Sequence, residues 1–232
     1  MNDILLVDKP VGWTSFDVVA KIRGAIRAQY TVRGEKATKR QLKVGHAGTL
    51  DPFATGLLII LLGDACSRSD EFLKLDKVYE ATFTLGATST TGDPEGELTP
   101  VSDVQPTQAA VLGALGAFMG EIEQTPPMYS AIKIGGERAY KLARQGKVFD
   151  MPSRRVTIHE LELVDYSYPE LKVRAHVSSG TYIRTLAEDV GIKLGTGAYC
   201  TSLRRTQIGS MMIATAQSVD DVIAALRDNE EK

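Results

Sequence analysis

The chain has 232 residues, of which 43% are hydrophobic and 24% charged, a composition typical of a folded globular protein. Its net charge of −2 does not by itself indicate a nucleic-acid-binding protein. No apolar segment approaches the roughly 20 residues that are needed to cross a bilayer. The N-terminus MNDILLVDKP lacks a basic secretory signal, and Cys66 and Cys200 lack CxxC spacing, so we expect reduced thiols in a cytoplasmic protein.

Hydrophobic periodicity predicts helices and strands in alternation along the first half of the chain. The apolar run at 57–62 is typical of a strand that is buried on both faces. The predicted elements are a strand at 4–7, a helix with Ser15 as N-cap, the strand at 57–62, a helix near 65–73, a strand at 79–85, a turn-rich loop at 88–97 and a helix at 107–118.

The second half shows alternating patterns that indicate antiparallel strands. The predicted elements are a strand at 129–134, a turn at 135–136, a helix at 137–144, strands at 156–168 and 171–177, a helix at 181–194, a strand at 202–207, and a last helix capped by Ser218 that ends near Leu226. No linker or repeat interrupts the chain. The pattern predicts one α+β domain over residues 1–232 with a mixed, largely antiparallel sheet and flanking helices.

The charge is unevenly distributed. Residues 1–50 hold nine Lys or Arg against four Asp or Glu, and the rest of the chain carries a net −7. The segment at 28–43 is a basic loop or insertion, and two interpretations of it stay open: a solvated loop, or a contact for a phosphate backbone. Its cations are Arg33, Lys36, Lys39, Arg40 and Lys43.

Several common chemistries lack their motifs. There is no Walker loop, Gly45 and Gly48 do not have Rossmann spacing, and the three histidines form no HExxH or base-deaminase pattern. No GxSxG elbow is present. We therefore expect catalysis by ordinary side chains, with no metal and no cofactor.

The stretch VGHAGTLDPFATG, at 44–56, places one carboxylate in a glycine-rich loop before the buried strand. Pro52 disfavours the helical region for Asp51, and the glycines permit tight turns. By itself, such an aspartate is either a turn device or a chemical tool.

Six blocks in this order resemble the TruB family of pseudouridine synthases, which modify uridine 55 in the T-loop of tRNA. The resemblance covers almost the whole chain, roughly residues 4–226. The blocks are LLVDKPVGWTS, GHAGTLDPFATG, KVYEATFTLG, PPMYSAIKIGGERAYKLARQG, SSGTYIRTLAEDVG and LRRTQIG.

The resemblance implies a cofactor-free isomerisation in which uracil detaches from ribose through nitrogen, turns, and rejoins through carbon. Asp51 matches the catalytic carboxylate. Whether it attacks the sugar, attacks the base or abstracts a ribose proton stays open. Arg184 matches the arginine that pairs with this aspartate, and Tyr79 matches the tyrosine that stacks on the base.

The T-loop uridine is not accessible in folded tRNA, so the resemblance also implies base flipping. His46 matches a substrate-contacting histidine near the vacated space, and Tyr182 and Leu203 match pocket walls. Asp93 resembles a position that contacts the nucleic acid. Lys9 and Lys133 lie in the quoted blocks and Lys21 lies shortly after the first of them, and all three are expected to contact the RNA backbone or support the fold.

Family members commonly carry a C-terminal RNA-binding domain of the PUA type, and we expect this chain to be a single catalytic domain without it, acting as a monomer on the T-arm of tRNA. Two alternatives stay open: the same reaction on another RNA, and a noncatalytic tRNA-folding module. A glycosidase is disfavoured because it would ordinarily need two carboxylates at one bond.

Overall fold

The computed structural model describes residues 3–130 and 132–228. Its helices are α1 (Ser15–Val32), α2 (Ser69–Leu73), α3 (Gln108–Gly116), α4 (Ala139–Arg144), α5 (Ile183–Leu194) and α6 (Val219–Asp228). Its strands are β1 (Ile4–Lys9), β2 (Val44–Ala47), β3 (Thr55–Leu62), β4 (Lys77–Leu85), β5 (Ala87–Ser89), β6 (Leu98–Pro100), β7 (Gly120–Gln124), β8 (Lys133–Ile134), β9 (Glu137–Arg138), β10 (Arg154–Ser167), β11 (Glu170–Val177), β12 (Ala198–Ile208), β13 (Met211–Met212) and β14 (Gln217–Ser218).

The chain divides into two compact units. The first unit contains the residues up to Lys77 and those from Arg204 onward, and the second unit runs from Val78 to Leu203. The divisions therefore fall within β4 and within β12.

The first unit is built around β3. This strand pairs antiparallel with β1, from Ile4 opposite Leu61 to Lys9 opposite Gly56, and antiparallel with β2. The end of β12 runs parallel to β3, with Arg204 opposite Thr55 and Arg205 opposite Gly56. Because β2 ends and β3 begins on either side of the glycine-rich loop, the sheet holds both ends of that loop.

The run at 57–62 is buried on both faces, as predicted. Leu58, Ile60 and Leu62 pack with the apolar faces of α1 and α6. Leu57, Ile59 and Leu61 belong to a separate cluster with Phe72 and Ile208. The two faces of one strand thus serve two cores, which explains why the run lacks polar alternation.

The second unit contains the long hairpin of β10 and β11, joined antiparallel, with β7 on the other side of β10. Its strand order is β12, β4, β11, β10, β7. The helices α3 and α5 pack against each other, and α3 packs on β10. The predicted α+β class with a mixed, largely antiparallel sheet is confirmed.

Three local predictions are wrong. Thr14, not Ser15, caps α1, in a capping box with Asp17. Of the described residues of the expected strand at 129–134, only Lys133–Ile134 form a strand, and residue 131 lies outside the described residues. The helix α4 begins only at Ala139, because the residues before it form the β8–β9 hairpin. Ser218 caps α6 as predicted, since its hydroxyl accepts the Asp221 N–H at 3.1 Å.

Neither cysteine forms a disulfide; Cys200 is buried and Cys66 is partly exposed. Within the described ranges, no helix is both long enough and apolar enough to cross a membrane.

Candidate active site

In the first unit, Asp51 lies between β2 and β3 in the glycine-rich loop and is half-buried. The Ala54 N–H donates to the Asp51 carbonyl at 3.1 Å and closes a turn after it. His46 sits at the other end of the loop, in β2, opposite Ile60. The sheet and this turn therefore fix the backbone from which Asp51 projects.

The residue before Asp51 is held by Ser15. The Ser15 hydroxyl donates to the Leu50 carbonyl at 3.1 Å and accepts the Leu50 N–H at 2.8 Å. Both groups are buried, so neither bond competes with water. This is why Ser15 does not cap α1: its hydroxyl is engaged by the loop.

The residue after Asp51 is held by Lys9, whose side chain is fully buried. Its ammonium group donates to the carbonyls of Pro10 at 2.9 Å, Trp13 at 2.6 Å and Pro52 at 3.4 Å. Three carbonyl acceptors compensate for much of the hydration that a buried ammonium loses. Lys9 is thus a structural support of this loop, one of the two roles expected for it.

A third support comes from Arg205, which is 1% exposed. Its guanidinium donates to the carbonyls of Leu57 at 2.8 Å and Gly48 at 3.0 Å. Gly56 has φ of +102°, and a Cβ there would stand 2.8 Å from the Arg205 backbone nitrogen. Only glycine lets β3 and β12 approach so closely, and the loop is fastened at both ends.

In the second unit, Arg184 lies in the first turn of α5 and is 3% exposed. It donates to the carbonyls of Thr91 at 2.7 Å and Tyr129 at 2.8 Å, and to the Asp93 carboxylate at 2.9 Å. The guanidinium is therefore oriented by three acceptors from two loops. Its predicted pairing with Asp51 stays a prediction.

Asp93 is as buried as its partner, with side-chain exposures of 4% for Arg184 and 5% for Asp93. Its other carboxylate oxygen accepts from the Thr91 hydroxyl at 2.5 Å and the Glu95 N–H at 3.0 Å. An ion pair this deep is tolerated only when its remaining hydrogen-bonding capacity is filled, as it is here. The expected contact of Asp93 with nucleic acid also stays a prediction.

A second carboxyl group, that of Glu188, approaches Arg184 one turn further along α5. A Cβ at Gly92 would lie 2.7 Å from Glu188 Oε1 and 3.4 Å from Arg184 Cβ. Burial raises the pKa of Glu188, the neighbouring Asp189 raises it further, and Arg184 opposes both. Glu188 and Asp189 line an open cavity of about 580 Å³, together with Tyr129.

The other predicted site residues of the second unit lie on different elements and differ in their exposure to solvent. Tyr79 in β4 and Leu203 in β12 are 8% and 7% exposed. Tyr182, half-buried, directly precedes α5, two residues before Arg184. Lys133 is exposed on β8.

In the first unit, Lys21 is exposed on α1 and lines a groove of about 670 Å³ beside Trp13. The basic segment is exposed at all five of its cations, which are Arg33, Lys36, Lys39, Arg40 and Lys43. Arg40 forms an ion pair with Asp64. The Thr38 N–H donates to the Gln41 side chain at 2.7 Å, so the end of the segment forms a tied turn.

Family comparison agrees with the motifs. Residues 35–183 match the model described as TruB family pseudouridylate synthase (N terminal domain). The chain belongs to the TruB family. Residues 184–232 match the model described as tRNA pseudouridylate synthase B C-terminal domain, so the family prediction is confirmed over most of the chain.

Curated TruB-family relatives resemble the chain from end to end. A protein of Burkholderia mallei (strain NCTC 10247) named tRNA pseudouridine synthase B is 43% identical over 231 residues, which cover 100% of this chain and 72% of that protein. A protein of the same name from Cupriavidus metallidurans is 43% identical over 226 residues, covering 97% of this chain and 68% of that protein.

Solved structures share the fold. A Cbf5-Nop10-Gar1 complex superposes with a TM-score of 0.74 at 26% identity, and an H/ACA RNP bound to a substrate RNA containing 2'-deoxyuridine with 0.70 at 25%. Each match covers 98% of this chain. The chain spans about half of the matched chains, 55% and 54% respectively.

Several residues that lie beside predicted site residues, each within its own unit, were not identifiable as such from the sequence. Arg205 lies in the block LRRTQIG and Glu188 in the block SSGTYIRTLAEDVG. Their place in these blocks is the only sequence signal that could have indicated a functional role. Gln124 and Arg154, which contact Tyr182, lie outside every block and carried no local signal.

Proposed function

We infer that the protein is a tRNA pseudouridine synthase that converts uridine 55 of the T-loop to pseudouridine. The observation that carries this proposal is the loop of Asp51, held by Ser15, Lys9 and Arg205 in a chain of the TruB family. A loop fastened so firmly at both ends suits a single carboxylate that must meet a fixed atom of its substrate.

The reaction balances without any added reactant. The bond between uracil N1 and ribose C1′ breaks, the base turns, and a bond forms between uracil C5 and C1′. The proton that C5 loses matches the one that N1 gains, so no atom enters or leaves overall. Asp51 is the proposed catalytic group at the ribose–base junction. Three routes stay open to its carboxylate: attack on the sugar, attack on the base, and abstraction of a ribose proton.

The proposed partner of Asp51 is Arg184. A carboxylate that enters a base pocket loses water, which favours its protonated form, and a nearby guanidinium favours the ionised form. The fixed orientation of Arg184 by Thr91, Asp93 and Tyr129 supports this role, because a guanidinium that is already held need not reorganise when substrate binds.

The remaining proposed roles concern the flipped base. Stacking on Tyr79 would contribute about 1–3 kcal/mol for one base. Tyr182 and Leu203 are the proposed pocket walls, and His46 the proposed contact near the space that the base leaves. The proposed contacts to the rest of the RNA are Asp93, Lys21, Lys133 and the cations at 33–43, in a cytoplasmic monomer with one catalytic domain.

The deciding experiment is to incubate the purified protein with unmodified tRNA and map pseudouridine at each uridine. We expect pseudouridine at position 55 with wild type, none with Asp51→Asn, and normal yield with Asp70→Asn, which changes an exposed aspartate of α2. Modification of a different RNA alone would favour the first alternative. Turnover by Asp51→Asn at the wild-type rate would refute the proposed role of Asp51.

A noncatalytic tRNA-folding module is the second alternative. It predicts that wild type and Asp51→Asn refold a misfolded tRNA equally well and that neither makes pseudouridine. Measuring tRNA aminoacylation competence after incubation, beside the pseudouridine map, separates the two functions.

A further inference from the structure

The backbone of Tyr182 is held by one buried side chain. The Gln124 amide, 1% exposed, accepts the Tyr182 N–H at 2.8 Å and donates to the Tyr182 carbonyl at 3.1 Å. Both ends of one planar amide are used, so its orientation is defined. Gln124 therefore determines where the chain turns into α5.

The ring of Tyr182 is held by a different side chain. The guanidinium carbon of Arg154 lies 5.0 Å from the centre of the ring, within the range of a cation–π contact. The same guanidinium donates to the Gly180 carbonyl, two residues before Tyr182. One planar cation thus touches both the ring and the turn that precedes it.

Gly180 leaves room for this arrangement. Its φ is +86°, and a Cβ there would lie 3.2 Å from the Arg154 guanidinium carbon and 3.4 Å from both terminal nitrogens. The bare backbone at Gly180 is one wall for the guanidinium, and the ring of Tyr182 is the other. A side chain at position 180 would have to displace Arg154.

The two holding residues are themselves placed together by the sheet. Arg154 and Gln124 are opposite each other in the antiparallel pair of β10 and β7. The turn at 178–181 is tied to the same strand, since the Ser178 hydroxyl accepts the Thr157 N–H at 2.8 Å. The register of β7 and β10 therefore sets the position of both the ring and the backbone of Tyr182.

We propose that Gln124 and Arg154 form a clamp that positions the Tyr182 ring as a fixed wall of the uracil pocket. This rests on the proposed function, because it needs Tyr182 to face the base. A half-buried ring without such a contact can reorient, whereas a base that has left its sugar must be confined while it turns. Gln124 and Arg154 are therefore positioning residues, which act on the reaction through Tyr182.

The clamp can be tested first without RNA, by hydrogen exchange of the peptide covering 178–186. Gln124→Met removes two hydrogen bonds, and Arg154→Gln removes a cation–π contact and the guanidinium hydrogen bond to Gly180. Each change should therefore speed exchange there by at least about tenfold. Arg155→Gln is the matched control, because Arg155 is the next residue and pairs on the surface with Glu121. Unchanged exchange in Gln124→Met and Arg154→Gln would overturn the clamp.

The link to catalysis is tested by a double-mutant cycle on the single-turnover rate at saturating tRNA. We expect Arg154→Gln to slow the wild type by about tenfold and Arg154→Lys to slow it less. In a Tyr182→Leu background, Arg154→Gln should slow the reaction no further, because the ring on which it acts is gone. Full additivity of the two changes would show that Arg154 does not act through Tyr182.

The two proposals fail in different ways. If wild type makes no pseudouridine but the exchange results hold, the proposed function fails and the clamp survives as a structural device without its assigned role. If wild type is active but the cycle is additive, the clamp fails and the proposed function stands. Thermal unfolding of every variant shows whether a slow rate reflects misfolding.

Discussion

The ion pair of Arg184 and Asp93 offers a sharp test of how the site is held. In Asp93→Asn, the side chain keeps its size, but the buried Arg184 guanidinium loses the charged acceptor at 2.9 Å and keeps its bonds to the carbonyls of Thr91 and Tyr129. In Arg184→Met, the Asp93 carboxylate keeps its bonds from Thr91 and Glu95 but loses its counter-charge. Each change removes one charge of this buried pair and leaves the other in the interior.

The magnitude follows from burial. With both side chains about 5% exposed, solvent screens the pair little, so breaking it should lower the free energy of unfolding by about 3–5 kcal/mol. The double variant removes both charges and their desolvation penalty together. It should therefore be no less stable than either single variant, which requires a coupling energy of at least about 3 kcal/mol.

Urea unfolding followed by far-ultraviolet circular dichroism measures these values, and Glu160→Gln is the control. Glu160 pairs with Arg174 at 3.2 Å with 52% of its side chain exposed, and its loss should leave stability near that of wild type. The reasoning is refuted if the single changes each lower stability by less than about 1 kcal/mol and add in the double variant. In the pseudouridine assay, Arg184→Lys should recover only part of the rate lost in Arg184→Met, because an ammonium lacks the planar fork.

Two further predictions concern the first unit. The first is a change to Gln of four exposed cations of the basic segment: Lys36, Lys39, Arg40 and Lys43. It should weaken tRNA binding and flatten the slope of log K against log salt by about 0.7–0.9 per lost phosphate contact, whereas Arg68→Gln, at an exposed arginine paired with Glu71, should leave both unchanged. Filter-binding titrations at several salt concentrations measure the slope, and an unaltered slope would mean that the segment is only a solvated loop. The second prediction concerns Lys77, whose pKa is lowered to about 8 by burial and by repulsion from Arg205. The buried charge therefore lowers the free energy of unfolding fully below pH 8, and this loss is relieved as the pH rises from 8 toward 10.5, the ordinary pKa of the group. Between pH 7 and 9.5 the wild type should gain about 2 kcal/mol of stability relative to Lys77→Met, and an equal pH response of the two proteins would contradict the assignment.

The features that the sequence determined by itself are those with local causes. The run at 57–62 identifies a strand buried on both faces because six successive apolar residues leave no polar face. Ser218 marks the start of α6 because a hydroxyl before an amphipathic stretch satisfies a free N–H. The loop of Asp51 was recognisable because its glycines, its proline and its aspartate are contiguous, and that contiguity also made the family evident.

The tertiary structure alone decided which side chains hold the site, because those contacts join residues that are far apart in the chain. Arg205 supports the strand of Leu57 across 148 positions, and Arg184 meets Asp93 across 91. No periodicity links such pairs, and the choice between Thr14 and Ser15 as a helix cap depended on whether Leu50 would occupy the serine hydroxyl. Gln124 and Arg154 lie opposite each other, and so contact the same tyrosine, because β7 and β10 pair in this register, and a register is set by the whole sheet rather than by either strand.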